Sequence, residues 1–435
     1  MQIQNPYVQY MYSYPHKTAY RELKNVEIKA FFDQLIGKKN SLYFHIPFCQ
    51  YKCGYCNLFS LAGQSKQMMK DYVKAMETQV KQLSQALPKG AKFADLTIGG
   101  GTPLSLPEDL LERIFELARE YFLFEQEKVP IIVETSPNQT TKSKLNILKK
   151  NGVTRISIGV QSFKQEELIA LSRFHTVEAA KNALELIRAV GFSCVNIDLI
   201  YGIPGQTKES LKYSIEQVLL DPPEELFVYP LYVKEGTGLY RQKISQEKET
   251  YALYQWIREK LIQEGYYPCS MRRFVRKDTI KETAKHSLCG FGNTISIGCG
   301  GRSYIGNLHF CTPYAVKQEQ CMKIVKAYME KEDYLQVNYG FLLNEEEQKR
   351  RYVIKHILFD QGILKEDYQQ HFGTEVEKDF PLLKDWEKNG YAIHTPSCIT
   401  LTEKGFSLSD YLGPQLISST ALERMKEWSE EDARK

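Results

Sequence analysis

SLYFHIPFCQYKCGYCNLF, residues 41–59, is the stretch from which the architecture of this chain can be worked out. The opening SLYFHI alternates in polarity and reads as a strand. Cys49, Cys53 and Cys56 follow it in the spacing C-x3-C-x2-C. The other seven of the ten cysteines are scattered from Cys194 to Cys398. Thiols crowded into one short loop of a chain this size point to a metal or redox site rather than to disulfides. A cubane iron–sulfur cluster has four irons, and three thiolates leave one iron open to a chelating small molecule. A Cys3His zinc site completed by His45 also fits the spacing, as do three ordinary thiols.

Outward from this loop the chain alternates between strand and helix. Residues 66–87 carry Met69, Tyr72, Val73, Met76, Val80 and Leu83 at helical spacing. ADLTIG (94–99) is a strand, and Pro107 suits the first turn of a helix over 107–122. Further strands are PIIVET (130–135), TRISIGV (154–160), CVNIDLIYG (194–202) and ELFVYPLYV (225–233). Helices over 140–151, 164–171, 176–190 and 207–220 lie between them. Six strands joined by helical crossovers predict an α/β fold with parallel strands, a partial (β/α)6 TIM-like barrel. Its functional groups belong at the C-terminal ends of the strands and in the loops after them.

The composition suits such a fold. The 435 residues are 43% hydrophobic and 25% charged, and a net charge of +4 leaves no strong basic footprint for nucleic acid. Arg272, Arg273, Arg276 and Lys277 form the densest basic run, read either as a solvated face or as a clamp for an acidic substrate. The N-terminus MQIQNPYVQYMYSYPHK is not a secretory leader, and no stretch approaches the ~18–20 apolar residues of a membrane span. The expected location is the cytoplasm.

Other candidates sit where a barrel would use them. Gly99, Gly100, Gly101, Thr102 and Pro103 follow the second strand, and glycines let backbone approach a ligand with its N–H and C=O groups free. The same residues also suit a plain strand-to-helix turn. Glu134 ends an apolar strand, where a carboxylate needs a partner. Gln161 and Asp198 lie in or at the ends of apolar strands.

HIPFC-x3-C-x-YC, IGGGTP, RISIGVQSF and NIDLIYGIPGQT, in this order, resemble the radical S-adenosylmethionine (SAM) superfamily. Within it they are similar to the oxygen-independent coproporphyrinogen III oxidase family, which includes the oxidase, haem chaperones and class C methyltransferases. The resemblance is strong over 41–240 and looser over 241–412. It implies that Cys49, Cys53 and Cys56 hold a [4Fe–4S] cluster, and that Gly100, Gly101 and Thr102 belong to the loop that meets the SAM amino group. By the same resemblance Glu134 lies close to SAM, Gln161 and Asp198 near its ribose, and Arg173 at its carboxylate. Tyr43, Ile203 and Pro204 would line the methionine and adenine surroundings. The implied chemistry is reductive cleavage of SAM to a 5′-deoxyadenosyl radical that acts on a small-molecule substrate. The electron would come from a donor such as flavodoxin or ferredoxin.

The rest of the chain departs from the oxidase pattern. Asn57 and Leu58 stand where the oxidase carries a further cysteine, and SMRRF (270–274) and SIGCGGRSYIGNLHF (296–310) suggest a distinct subfamily. The expected division is an N-terminal arm (1–40), the barrel core (41–240), a barrel extension and substrate region (241–335), an α+β winged-helix-like module (342–412) and a charged tail (413–435). The extension opens with a helix over 247–264, and its stretch 286–311 reads as a loop with short strands. The module shows helices near 344–360, 364–371 and 376–389, then the ribbon YAIHTPSCITLT and a helix from about 403. It is expected to cover the barrel mouth. Cys289, Cys299 and Cys311 are ordinary thiols or an auxiliary site. Two functions follow: an enzyme that oxidises or methylates an organic, tetrapyrrole-like substrate, and a haem carrier on the same scaffold. The carrier would need an axial ligand such as His309, His356, His371 or His394.

Overall fold

The computed structural model describes residues 3, 5–244, 250–280 and 292–428. Cys289, the start of the expected helix over 247–264 and the end of the charged tail lie outside the described residues.

The N-terminal arm contributes β1 (Arg21–Glu27). The six strands read from the sequence are β2 (Asn40–Ile46), β3 (Phe93–Gly100), β4 (Ile131–Thr135), β5 (Arg155–Gln161), β6 (Cys194–Tyr201) and β7 (Glu225–Pro230). They pair in that order, all parallel. Between them run α1 (Lys66–Ala86), α2 (Glu108–Tyr121), α3 (Lys142–Lys150), α4 (Val177–Val190) and α5 (Lys208–Leu219), with the short Gln165–Ala170 before α4. The reasons are local. Ser65 caps α1 by accepting from Met68 N–H, and the apolar stripe Met69, Tyr72, Val73, Met76, Val80 and Leu83 is its buried face. Pro107 stands just before α2 rather than inside it. Pro230 ends β7 three residues short of the expected 233, because proline cannot donate to a ladder.

The sheet is larger than six strands. β8 (Arg273–Arg276) pairs antiparallel with β7. β9 (Asn293–Ile297) adds in parallel beside β2, a seventh parallel strand inside the stretch read as loop with short strands. β10 (Ser303–Ile305), β11 (Leu308–Phe310) and β12 (Gln336–Leu342) continue antiparallel to β1 at the edge.

The C-terminal third has its own apolar core, which includes Tyr352, Ile357, Leu383, Trp386 and Leu412 and takes in Met11 and Tyr14 of the arm. Its helices are α6 (Glu345–Ile357), α7 (Lys365–Phe372), α8 (Val376–Asp379) and α9 (Leu382–Lys388). A single helix over 376–389 is the sequence expectation; Pro381, which has no N–H to continue the ladder, divides it. The ribbon follows as Ala392–His394 paired with Cys398–Leu401.

Candidate active site

Side chains alternate along a strand, so one parity of each barrel strand faces inward. Ile132 and Glu134, Arg155 and Ser157, Asn196 and Asp198, and Phe227 and Tyr229 are the pairs that line a cavity of about 220 Å³. Sequence reading singled out Glu134 and Asp198 and missed Ser157, Asn196, Phe227 and Tyr229. The signal was present: each stands two residues from another inward position on its strand. Tyr10 and Tyr12 of the arm, and Phe359 and Asp410 of the C-terminal third, line the same cavity. The C-terminal third therefore contributes to the lining of this cavity.

The cysteine loop and the glycine loop are stitched together, and they adjoin this cavity through Glu134. Gly101 N–H donates to Ile46 O at 2.8 Å, and Thr102 N–H to Phe48 O at 2.8 Å. Gly100 N–H donates to Glu134 Oε2 at 3.0 Å, which supplies the partner that the buried strand end requires. These N–H groups are committed inside the protein, against the expectation that the loop leaves them free, so its carbonyls are what it can offer a ligand's donors. Glycine is demanded by proximity here. A Cβ at Gly99 would lie 2.8 Å from Glu134 Oε2, and one at Gly101 would lie 2.7 Å from Phe48 O and 2.9 Å from Cys49 Sγ. Burial raises the Glu134 carboxyl, the Gly100 hydrogen bond opposing it.

Two of the three cysteines have a neighbour suited to a charged sulfur. Thr102 Oγ1 lies 3.6 Å from Cys49 Sγ. Arg173 Nη1 donates to Cys53 Sγ at 3.2 Å, and its Nη2 donates to Gly159 O. The buried Arg173 Nε has no hydrogen-bond partner among the described residues. Burial pushes the Cys49 thiol up to about 12, with the Thr102 hydrogen bond and the Lys52 charge opposing the shift.

Among the described residues no three His, Cys, Asp or Glu side chains converge as the ligands of a single ion. Three thiolates on one loop are the donor set of a cubane with one iron left open. His45, the expected fourth zinc ligand, is engaged at both nitrogens, with Tyr43 Oη and Phe59 O each at 3.2 Å. Burial lowers its imidazole to about 4.

The remaining candidates fall around these loops. Asp198 accepts from Asn196 Nδ2 at 2.7 Å, and burial raises it to about 7 despite that bond. Gln161 ends β5 at φ +75, a left-handed conformation that a non-glycine residue adopts at strained, often functional positions. Ile203 is fully buried in a small apolar cluster with Leu171, Leu231 and Leu239, against which Tyr55 of the cysteine loop packs.

The basic run is not a solvated face at its first two members, which line the cavity and are paired with carboxylates. Arg272 pairs with Asp410, while Arg273 Nε donates to Glu225 Oε1 at 2.5 Å. Arg155 joins the same Glu225 at 2.5 Å, with both partners almost wholly buried. Arg276 meets Asp278 at 2.7 Å. His309 is wholly buried, while His356 and His394 each place a ring nitrogen on a backbone carbonyl. Cys299 is buried in the main core with Sγ 3.5 Å from Thr312 Oγ1.

Residues 43–218 match the radical SAM superfamily. Over 376 residues the chain is 27% identical to the heme chaperone HemW of Bacillus subtilis, covering 84% of this chain and 96% of that protein. It is 27% identical over 385 residues to the oxygen-independent coproporphyrinogen III oxidase of Escherichia coli, covering 84% and 82%. The fold matches the structure of coproporphyrinogen III oxidase (HemN) from Escherichia coli, a radical SAM enzyme, with a TM-score of 0.79 at 24% identity, over 94% of this chain and 97% of that one.

Proposed function

The chain belongs to the radical SAM superfamily, among the relatives of oxygen-independent coproporphyrinogen III oxidases and haem chaperones, and from that premise we propose that it is an enzyme acting on an organic, tetrapyrrole-like small molecule by oxidation or methyl transfer. The observation that carries the reading is one juxtaposition: the cysteine loop is bonded to the glycine loop and the glycine loop to Glu134, which lines the same cavity as Asp198.

Cys49, Cys53 and Cys56 would hold the [4Fe–4S] cluster, with Arg173 and Thr102 steadying the charge on sulfur. Gly100, Gly101 and Thr102, with Glu134, would receive the amino end of SAM. Gln161 and Asp198 would take the ribose and Arg173 the carboxylate, with Tyr43 and Ile203 shaping the surroundings. Bound there, cluster and SAM supply reductive generation of a carbon radical that removes one substrate hydrogen atom. The protein's own task is to orient substrate and exclude water. Tyr10, Tyr12 and the 342–412 module serve that task, covering the strand ends. A donor such as flavodoxin or ferredoxin would supply the electron. Among the described residues no helix is long and apolar enough to cross a membrane, and the proposed place of work is the cytoplasm.

The test is anaerobic reconstitution with iron and sulfide, then SAM and dithionite. Release of 5′-deoxyadenosine and methionine is expected, and their absence from protein carrying a full cluster would sink the reading. The 96% coverage of a haem chaperone keeps a carrier as the second reading. A stoichiometric Soret shift on haem titration would favour it.

A further inference from the structure

The limb of the cysteine loop that follows Cys56 is held by three side chains. Two come from elsewhere in the chain. Tyr314 Oη donates to Asn57 O at 2.8 Å. Gln318, at the start of the helix Gln318–Met329, donates from Nε2 to Ser60 O at 2.9 Å and accepts from Ala62 N–H at 2.8 Å. The third is Lys52, which the loop itself supplies between Cys49 and Cys53. Lys52 Nζ donates to Val316 O at 2.6 Å, and to Leu58 O and Ser60 O at 3.4 Å each. An ammonium has three donors, and here each one meets a backbone carbonyl.

That arrangement solvates the charge without cancelling it. Among the described residues no carboxylate pairs with Lys52, whereas Arg155, Arg272 and Arg273 are each answered by one. Holding the limb in place does not require a cation, since Tyr314 and Gln318 do so as neutral groups. The surplus is the charge, and its position is specific. Thr102 serves Cys49 and Arg173 serves Cys53, while among the described residues no side chain donates to Cys56 Sγ. Lys52 brings its cation to carbonyls of the segment just after Cys56. Reduction adds one negative charge to a cluster, and its potential follows from net charge, hydrogen bonding and exposure. A positive charge held beside it favours the reduced form, and partial burial limits how far salt screens that charge.

We propose that Lys52 is a positioning residue that sets the reduction potential of the cluster: its uncancelled charge, pinned by three carbonyls beside the limb after Cys56, eases uptake of the electron. The inference rests on the enzymatic reading above and adds which residue outside the ligand set governs electron entry. The step it acts on is the transfer of one electron from a low-potential donor to the cluster. The donor is oxidised by one electron, and no bond forms or breaks.

The experiment uses the full chain reconstituted anaerobically with iron and sulfide, without SAM. The cluster is titrated at controlled potential through viologen mediators, and its reduced form is counted by electron paramagnetic resonance. Removing a unit charge from a partly buried site should change the reduction equilibrium about tenfold. Lys52→Gln, which keeps a hydrogen-bond donor and loses the charge, is therefore expected to lower the midpoint by about 59 mV, a tenfold change for one electron, at wild-type iron content. Lys52→Arg keeps the charge and should stay within about twofold of wild type. Gln318→Ala loosens the same limb without changing its charge and should leave the midpoint where it is. A wild-type midpoint in Lys52→Gln overturns the proposal. An equal drop in Lys52→Arg or in Gln318→Ala also overturns it, by assigning the effect to the position of the loop. Loss of iron from Lys52→Gln does the same, because the lysine is then a latch on the loop. If the wild-type chain assembles no reducible cluster, the enzymatic reading falls and this inference with it.

Discussion

The head of the cavity and its outer wall are built by opposite means. At the head, residues 45–60 and 99–102 meet through backbone hydrogen bonds and through glycines that admit no Cβ. At the wall, Arg272, Asp410, Tyr232 and the arm meet through charged side chains drawn from distant parts of the sequence. The first construction leaves no room for a side chain at Gly99, Gly100 or Gly101. The second holds separate segments together and leaves their chemistry free to vary. A protein that keeps one reaction head and changes its substrate would be expected to divide its structure in this way.

The largest effect that would break this comparison falls at the head. Replacing Cys49, Cys53 and Cys56 together by Ala should abolish the cluster and its absorption near ~400 nm, since all three thiolates are its proposed ligands. A full complement of iron in that variant would remove the assignment. Gly101→Ala sharpens the point without touching a ligand. Its Cβ would press on Phe48 O and Cys49 Sγ, so most of the iron should be lost while circular dichroism still reports a folded chain. Wild-type iron content would mean that the loop relaxes more easily than its contacts imply.

The wall should respond in stability instead. Asp410→Ala leaves Arg272, 3% exposed, without its carboxylate, and also takes away the acceptor of Tyr232. The expected cost is about 3–5 kcal/mol in a denaturant titration, as for other broken buried pairs. A loss below about 1 kcal/mol would place the pair with surface salt bridges and weaken the contrast. Replacing both partners by apolar residues should recover much of the loss, because no charge is then left stranded.

The two constructions also differ in how plainly the sequence announces them. The barrel was legible because its signals are local: alternation within strands, a stripe on α1, and cysteines and glycines within a few residues of a strand end. The head of the site was legible for the same reason. The wall was not. Nothing near Arg272 in sequence says that its partner is Asp410, 138 residues on. A run of basic residues looks alike whether it faces water or a buried carboxylate. β9 was hidden differently, since a short strand beside a Gly-rich turn reads as loop until its partner β2 is known. Ser157, Asn196, Phe227 and Tyr229 carried a usable signal in their spacing, but parity tells inside from outside only once one inward residue on each strand is fixed.

The smallest expected effect tests whether Asp198 belongs to the head, where geometry is fixed before any ligand arrives. In the folded protein burial raises this carboxyl from 3.8 to about 7, with Asn196 opposing the shift. The folded state therefore binds a proton that the unfolded chain releases at lower pH. Its contribution to stability is full below about pH 4 and is lost as pH rises through about 7. The protein without cofactors should lose roughly 1–2 kcal/mol across that interval on this account, less than the whole shift implies because Asp198 keeps some contact with water. Asp198→Asn removes the titration, so its thermal midpoint should change less between pH 5 and pH 8 than that of wild type. Glu134 is raised in the same direction and will leave a residual slope. If the two proteins show the same pH dependence, Asp198 is not held in the enclosed setting described here. If the slope flattens and SAM affinity also drops, the carboxylate is both preformed and used. Its protonation below pH 7 then sets the acid limit of SAM binding, through a residue that no iron touches.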